Sequence, residues 1–277
     1  MSKKVRFLFI PLMALWGCMF YLSPNLHANN HLSHYALVPS ASLSMEENLL
    51  HWRQAQKSGE ATVLAAVSGN KNWLPPVAIA LYTAVGANDI ESVEEMIARG
   101  ADVNSRMEDT LQTPLMAVES AEMASLLLKA GADARLVDSQ GATALHYAVL
   151  KEKAVDIIPL LLSAGADVNA VDSAGGETAF QWAKQWFFGM DPDMGEKVLA
   201  LLLQNGADIN AKDKFGDTLL YAAVMNRKEQ LVKFLLDKEA DASLANGDGR
   251  TPLDAARDLK FPEIESLLGN GFKRQSR

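Results

Sequence analysis

The chain has 277 residues, 49% hydrophobic and 22% charged, and a formal net charge of −8, which suits one elongated domain behind a leader and leaves no sizeable low-complexity tract. A single cysteine excludes an intramolecular disulfide framework and a multi-thiolate metal site. The acidic balance disfavours nucleic acid and anionic membrane surfaces, which repel a negative protein.

Lys3, Lys4 and Arg6 precede an unbroken apolar run from Phe7 to Leu22, the layout of a secretory leader. A helix over that run would span about 24 Å, short of a bilayer core of roughly 30 Å, and Pro11 interrupts it. Residues 1–28 therefore read as a signal peptide cut after Ala28, which predicts a periplasmic protein with no cysteine left. Leu15-Trp16-Gly17-Cys18 also looks like a bacterial lipobox, although Trp16 departs from its small-residue preference. Lipidation of Cys18 would anchor the protein by lipid, and an uncleaved leader would hold it in the inner membrane facing the periplasm. Otherwise no membrane contact is expected.

Residues 29–43 are rich in Asn, Ser and His and read as a flexible tether; His31 and His34 lack companions for a metal site. Ser44 and Glu47 form a capping box that opens a helix with Met45, Leu49 and Trp52 on one face. A second apolar segment, Thr62 to Val67, stops at Gly69. Residues 44–76 are thus a helical N-terminal cap, with a degenerate repeat as the alternative.

From 77 to 271 a three-part phrase recurs. Its opening reads Thr113-Pro114-Leu115-Met116-Ala117, Thr143-Ala144-Leu145-His146-Tyr147-Ala148, Thr178-Ala179-Phe180-Gln181-Trp182-Ala183, Thr218-Leu219-Leu220-Tyr221-Ala222-Ala223 and Thr251-Pro252-Leu253-Asp254-Ala255-Ala256. Leucine runs such as Leu126-Leu127-Leu128 and Leu201-Leu202-Leu203 follow. The phrase closes on Gly100-Ala101-Asp102-Val103-Asn104 and its counterparts, of which Glu239-Ala240-Asp241-Ala242 is the weakest. Thr is suited to cap a helix, Pro114 and Pro252 to its first position, and the closing Gly to the left-handed residue that ends a helix. The polar stretches beginning at Asp138, Asp172 and Asp213 lead up to three of the Thr openings.

Both phrases, recurring in step, resemble the ankyrin repeat. The resemblance implies an all-α solenoid of stacked helix pairs joined by β-hairpin fingers. About six repeats start near 77, 108, 138, 172, 213 and 246, and a basic tail, 272–277, follows as a solvated terminus. Repeat one lacks the Thr-Pro opening, and repeat two is about three residues short near Glu119. Repeat four carries an insertion of about seven residues, Trp186 to Gly195, expected as an ordered turn between its helices.

The resemblance also implies that His146 belongs to a turn network and that Asp138, Asp172 and Asp213 brace the fingers. One repeat, about 10 Å, would separate successive aspartates, too far for a compact acid–base pair. No catalytic motif, metal site or cofactor is expected. By position in the phrase, a concave protein-binding face would include Met107, Gln140, Lys151, Lys214 and Phe215, with Met225, Asn226 and Arg250. Trp186, Phe187 and Phe188 either pack onto neighbouring helix ends or form a hot spot beside Phe215. The function expected is a monomeric, non-catalytic module binding a protein partner in the bacterial periplasm. The alternative is an immunity-type inhibitor, or an accessory subunit of a periplasmic enzyme or toxin.

Overall fold

The computed structural model describes residues 76–275. The expectations for the leader, Cys18, the tether and nearly all of the N-terminal cap lie outside the described residues, as do the last two residues of the chain.

The described residues form six helix pairs. Pro76–Gly86 (α1) pairs with Ile90–Ala98 (α2), and a 3₁₀ helix, Pro114–Ala117, pairs with Ala121–Lys129 (α3). Ala144–Ala148 (α4) pairs with Ala154–Ser163 (α5). Ala179–Trp182 (α6), extended by the 3₁₀ helix Ala183–Phe188, pairs with Pro192–Gln204 (α7). Leu219–Met225 (α8) pairs with Glu229–Asp237 (α9), and Pro252–Asp258 (α10) with Pro262–Gln275 (α11). First helices stack on first helices (α1 on the 3₁₀ helix, that helix on α4, α4 on α6, α8 on α10) and second on second (α3, α5, α7, α9 and α11 in series), giving two layers.

Local sequence explains the helix ends. Thr178, Thr218 and Thr251 accept through Oγ1 from the amides of Gln181, Tyr221 and Asp254. At the other end, the alanine of each Gly-Ala-Asp phrase donates back across the last turn, as in Ala207 N–H to Leu202 O at 3.0 Å. That geometry needs a left-handed residue just before it. Gly206 supplies one at φ +87°, and Glu239 holds the same place at φ +65°.

The core runs the length of the stack. Leu115, Leu145, Phe180 and Leu220 are buried from the first layer, and Leu127, Leu161, Leu202 and Leu235 from the second. Each such side chain contributes about 1.5–3 kcal/mol when removed from water. Small residues at Ala148, Ala183, Ala223 and Ala256 let the first-layer helices approach closely.

Three expectations change. The β-hairpin fingers are turns closed by single antiparallel bridges, Val137 to Thr143, Val171 to Thr178 and Lys212 to Thr218, with no strand among the described residues. The Trp186–Gly195 insertion, expected as an ordered turn, is mostly helical: the 3₁₀ helix takes in Trp186–Phe188, and α7 begins at Pro192 under an Asp191 cap. Finally, α11 runs through Gly269 and Gly271 to Gln275, where the repeat was expected to end by 271. A glycine inside a helix costs only about 1 kcal/mol and does not by itself end it.

Candidate functional site

In repeats three to six one side chain organises each finger. Asp138 Oδ1 accepts from the amides of Gln140 and Ala142 at 2.8 and 2.9 Å. Asp172 does the same for Gly175, Gly176 and Glu177, Asp213 for Phe215 and Asp217, and Asn246 for Asp248 and Arg250. The bracing role implied for the three aspartates is the one observed, and Asn246 extends it.

Successive fingers are also bonded backbone to backbone. Ser139 N–H donates to Thr110 O at 2.8 Å, Ser173 to Gln140 at 2.7 Å, Lys214 to Gly175 at 2.9 Å and Gly247 to Phe215 at 2.9 Å. The finger tips thus form one continuous row. Close approach demands glycine at Gly216, φ +78°, where a Cβ would lie 2.6 Å from the Gly247 nitrogen.

Beneath the row runs a polar and aromatic strip. Tyr82 Oη donates to Gln112 Oε1, Gln112 Nε2 to Tyr147 Oη, and Tyr147 Oη to Asp138 Oδ2, at 2.8, 2.8 and 2.6 Å. Trp182 donates from Nε1 to Asp172 Oδ2 at 2.7 Å and sets its ring edgewise against Tyr147. Burial acts to raise the Asp172 pKa, but the hydrogen bonds from Gly175, Trp182, Glu177 and Gly176 outweigh it and hold the carboxyl below its usual range. Burial, followed by the bond to Asp138, pushes the Tyr147 phenol well up.

His146, in repeat three beside this network, is fully buried. Its Nδ1 accepts from the Thr143 amide at 3.1 Å, so the proton sits on Nε2, which donates to the Glu177 carbonyl at 3.2 Å. Burial depresses its pKa. Met116 Sδ, Gln181 Oε1 and Asp254 Oδ2 accept from the equivalent amides of Thr113, Thr178 and Thr251. Four chemically different residues thus do one structural job. With both ring nitrogens committed, His146 has no geometry for general base chemistry. No three His, Cys, Asp or Glu side chains cluster as metal ligands among the described residues.

The expected binding residues divide into two groups. On the finger side, Gln140 and Lys214 are exposed, and Met107 and Arg250 half-buried. Phe215 is 65% exposed, with Lys214 Nζ 5.2 Å from its ring centre. Arg250 is ion-paired with Asp258. Lys151, Met225 and Asn226 lie instead at the far ends of the first-layer helices, where Lys151 pairs with Glu119 and Asn226 Nδ2 bonds Ala222 O at 2.8 Å.

The insertion aromatics need correction as binding residues. Trp186 and Phe187 are only 4% and 6% exposed, and Trp186 Nε1 donates to Val149 O at 2.6 Å. Gly195 lets them in, because a Cβ there would lie 2.6 Å from the Phe187 ring. Phe188 is half-buried beneath Lys228. The gap left by a longer repeat is filled by its own side chains, so Trp186 and Phe187 are core.

Tyr82, Tyr147 and Trp182 were missed as members of one strip. A signal existed for the last two: the fifth place of the phrase holds Tyr147 and Trp182 where Ala117, Ala222 and Ala255 stand elsewhere. The stitching by Asn169, which donates to Gly206 O at 3.0 Å and accepts from Asp208 at 2.8 Å, was missed as well.

A family model described as ankyrin repeats (3 copies) matches residues 81–172 and 193–273. The unmatched stretch, 173–192, covers the finger of repeat four after Asp172, α6 and most of the insertion. Among solved structures, an ankyrin repeat domain from Acinetobacter baumannii AYE is 27% identical, with a TM-score of 0.58, covering 69% of this chain and 96% of that one. A chain in the complex of the Bdellovibrio bacteriovorus predatory endopeptidase Bd0816 with immunity protein Bd3460 is 28% identical, with a TM-score of 0.57, covering 69% and 97%. The ankyrin repeat domain of Bcl-3, a member of the IkappaB family, is 27% identical, with a TM-score of 0.59, covering 81% and 94%.

Proposed function

The chain belongs to the ankyrin-repeat family, whose repeats are protein–protein interaction modules, and from that premise we propose that it binds a protein partner along its finger row. The observation that carries this reading is Phe215. A 65% exposed aromatic sits on a finger braced by Asp213 and bonded to the fingers on either side. A large apolar side chain on a pre-organised backbone loses little entropy on binding and suits an interface anchor. Beside it Asp217 feels burial and the charges of Asp213 and Asp248, which raise its pKa, while Lys214 lies over the Phe215 ring, so the finger tip offers an apolar anchor among charges of both signs.

The compartment proposed is the bacterial periplasm, supported by Lys3, Lys4 and Arg6 ahead of the apolar run from Phe7 to Leu22. The module is non-catalytic in this reading. A second reading, an inhibitor seated on a partner enzyme, is favoured by the likeness to a chain of the Bdellovibrio endopeptidase–immunity protein complex.

Crosslinking the tagged full-length protein in its native cells, with mass spectrometry of the captured proteins, tests the proposal. A recurrent periplasmic protein should be captured, and Phe215→Ala should weaken its binding while leaving the melting midpoint unchanged. Capture that is indifferent to Phe215→Ala would remove the finger row as the binding face. An enzyme as partner, inhibited in stoichiometric mixtures, would select the inhibitor reading; an uninhibited partner would select the scaffold.

A further inference from the structure

The turn joining the two helices of a repeat lies at the end of the first helix away from its finger. In repeats four, five and six these turns carry three of the exposed large apolar side chains: Met190 at 53%, Met225 at 46% and Leu259 at 40%. They also carry Arg227, Lys228 and Lys260. Two contacts show that the turns adjoin. Lys228 of repeat five lies over Phe188 of repeat four at 5.2 Å, and Arg227 lies over Phe261 of repeat six at 5.1 Å. The result is one strip alternating apolar and cationic groups, on a chain whose net charge is −8.

Its apolar members are specific to this end of the solenoid: among the described residues, the corresponding turns of repeats one to three carry no exposed large apolar side chain. The turns of repeats one, five and six share one geometry, with Asn88, Arg227 and Lys260 at φ +55°, +51° and +57°. Repeat one places Asn88-Asp89 there, whereas repeats five and six place Arg227-Lys228 and Lys260-Phe261. Two of the nearby carboxylates are occupied by bonds. Asp191 caps α7, Asp258 pairs with Arg250, and Asp193, Glu229 and Glu263 sit in first turns, where they meet the positive ends of their helices.

We propose that the turns of repeats four to six form a second docking surface, which takes an acidic segment of a protein partner through its apolar side chains and carboxylates together. Charge complementarity selects that occupant: carboxylates would meet Arg227, Lys228 and Lys260 while apolar groups cover Met190, Met225 and Leu259. Neighbouring turns about 10 Å apart give a strip of about 20 Å, the reach of six or more extended residues. The surface is separate from the finger row, so it stands whether or not the reading of Phe215 does.

The test uses the full-length protein and a synthetic peptide of about eight residues alternating Asp or Glu with Leu and Phe. Titration by fluorescence anisotropy should show binding that weakens with added salt. The double variant Lys228→Glu/Lys260→Glu should weaken it about tenfold or more, and Lys228→Gln/Lys260→Gln by less, both with unchanged melting midpoints. Phe215→Ala should leave the peptide affinity unaltered. Four results would overturn the proposal: no binding at about 100 μM peptide, equal binding of a Lys-for-Asp/Glu peptide, full affinity in the charge variants, or loss of binding in Phe215→Ala. Vesicles of phosphatidylglycerol and phosphatidylcholine in equal parts, if they bound the protein while the peptide did not, would assign the strip to a lipid surface instead.

Discussion

Trp186 Nε1 reaches back 37 residues to the Val149 carbonyl at 2.6 Å, tying the insertion of repeat four to the end of the preceding repeat's first helix. That bond, with Phe187 packed against Gly195, turns three aromatics in a row from a candidate binding loop into a structural wedge.

Phe187→Ser should therefore destabilise the protein by about 3 kcal/mol or more, the scale of losing a buried aromatic. Phe188→Ser, at a half-buried site capped by Lys228, should cost less. Urea denaturation of the two variants checks the order. Equal and small losses would return the insertion to the surface.

Glu239 adopts φ +65° at the place where Gly100, Gly131, Gly165 and Gly206 lie between +86° and +93°. Relieving a left-handed non-glycine residue gives Glu239→Gly an expected gain of about 0.5–1 kcal/mol. The denaturation midpoint should rise with an unchanged slope. A fall would show that the Glu239 side chain contributes more than its backbone costs.

His146 links stability to pH. Its folded pKa lies below the unfolded value of about 6.5, because burial disfavours the imidazolium and Nδ1 must accept from Thr143. The unfolded chain therefore binds the extra proton first. The stability contributed by neutral His146 is complete above about pH 6.5 and is lost as pH falls from there toward the folded pKa. Gln181 makes the equivalent bond without titrating, so His146→Gln should keep the fold and flatten this part of the stability profile. An unchanged slope between about pH 5 and 6.5 would assign the dependence to other groups.

Gly216→Ala combines a left-handed backbone with a Cβ placed 2.6 Å from the Gly247 nitrogen. It should break the link between the last two fingers and cost more than about 1 kcal/mol. Faster hydrogen exchange at the Gly247 amide, with protection retained at the Ser173 amide, would localise the damage.

Much of this protein was legible before its structure. Thr218 before an apolar run, Pro252 at a helix start and Gly206 after a leucine triplet are local signals, each set by the backbone chemistry of a few adjacent residues. Their recurrence made stacking the only way to bury Leu145, Leu202 and Leu220. The bracing aspartates and the finger-tip place of Phe215 followed from position within the repeat, but whether its ring met solvent or the adjacent finger did not. What the sequence could not decide was the fate of side chains whose partners lie one repeat away. Whether Trp186 met water or Val149, whether Tyr147 joined Asp138 to Gln112, and whether Lys228 covered Phe188 all depended on how closely neighbouring repeats pack. That spacing depends on how the buried side chains of adjoining repeats fill the stack, as Phe180, Ala183 and the Phe187 ring against Gly195 do in repeat four, a property of the assembly and not of any single segment.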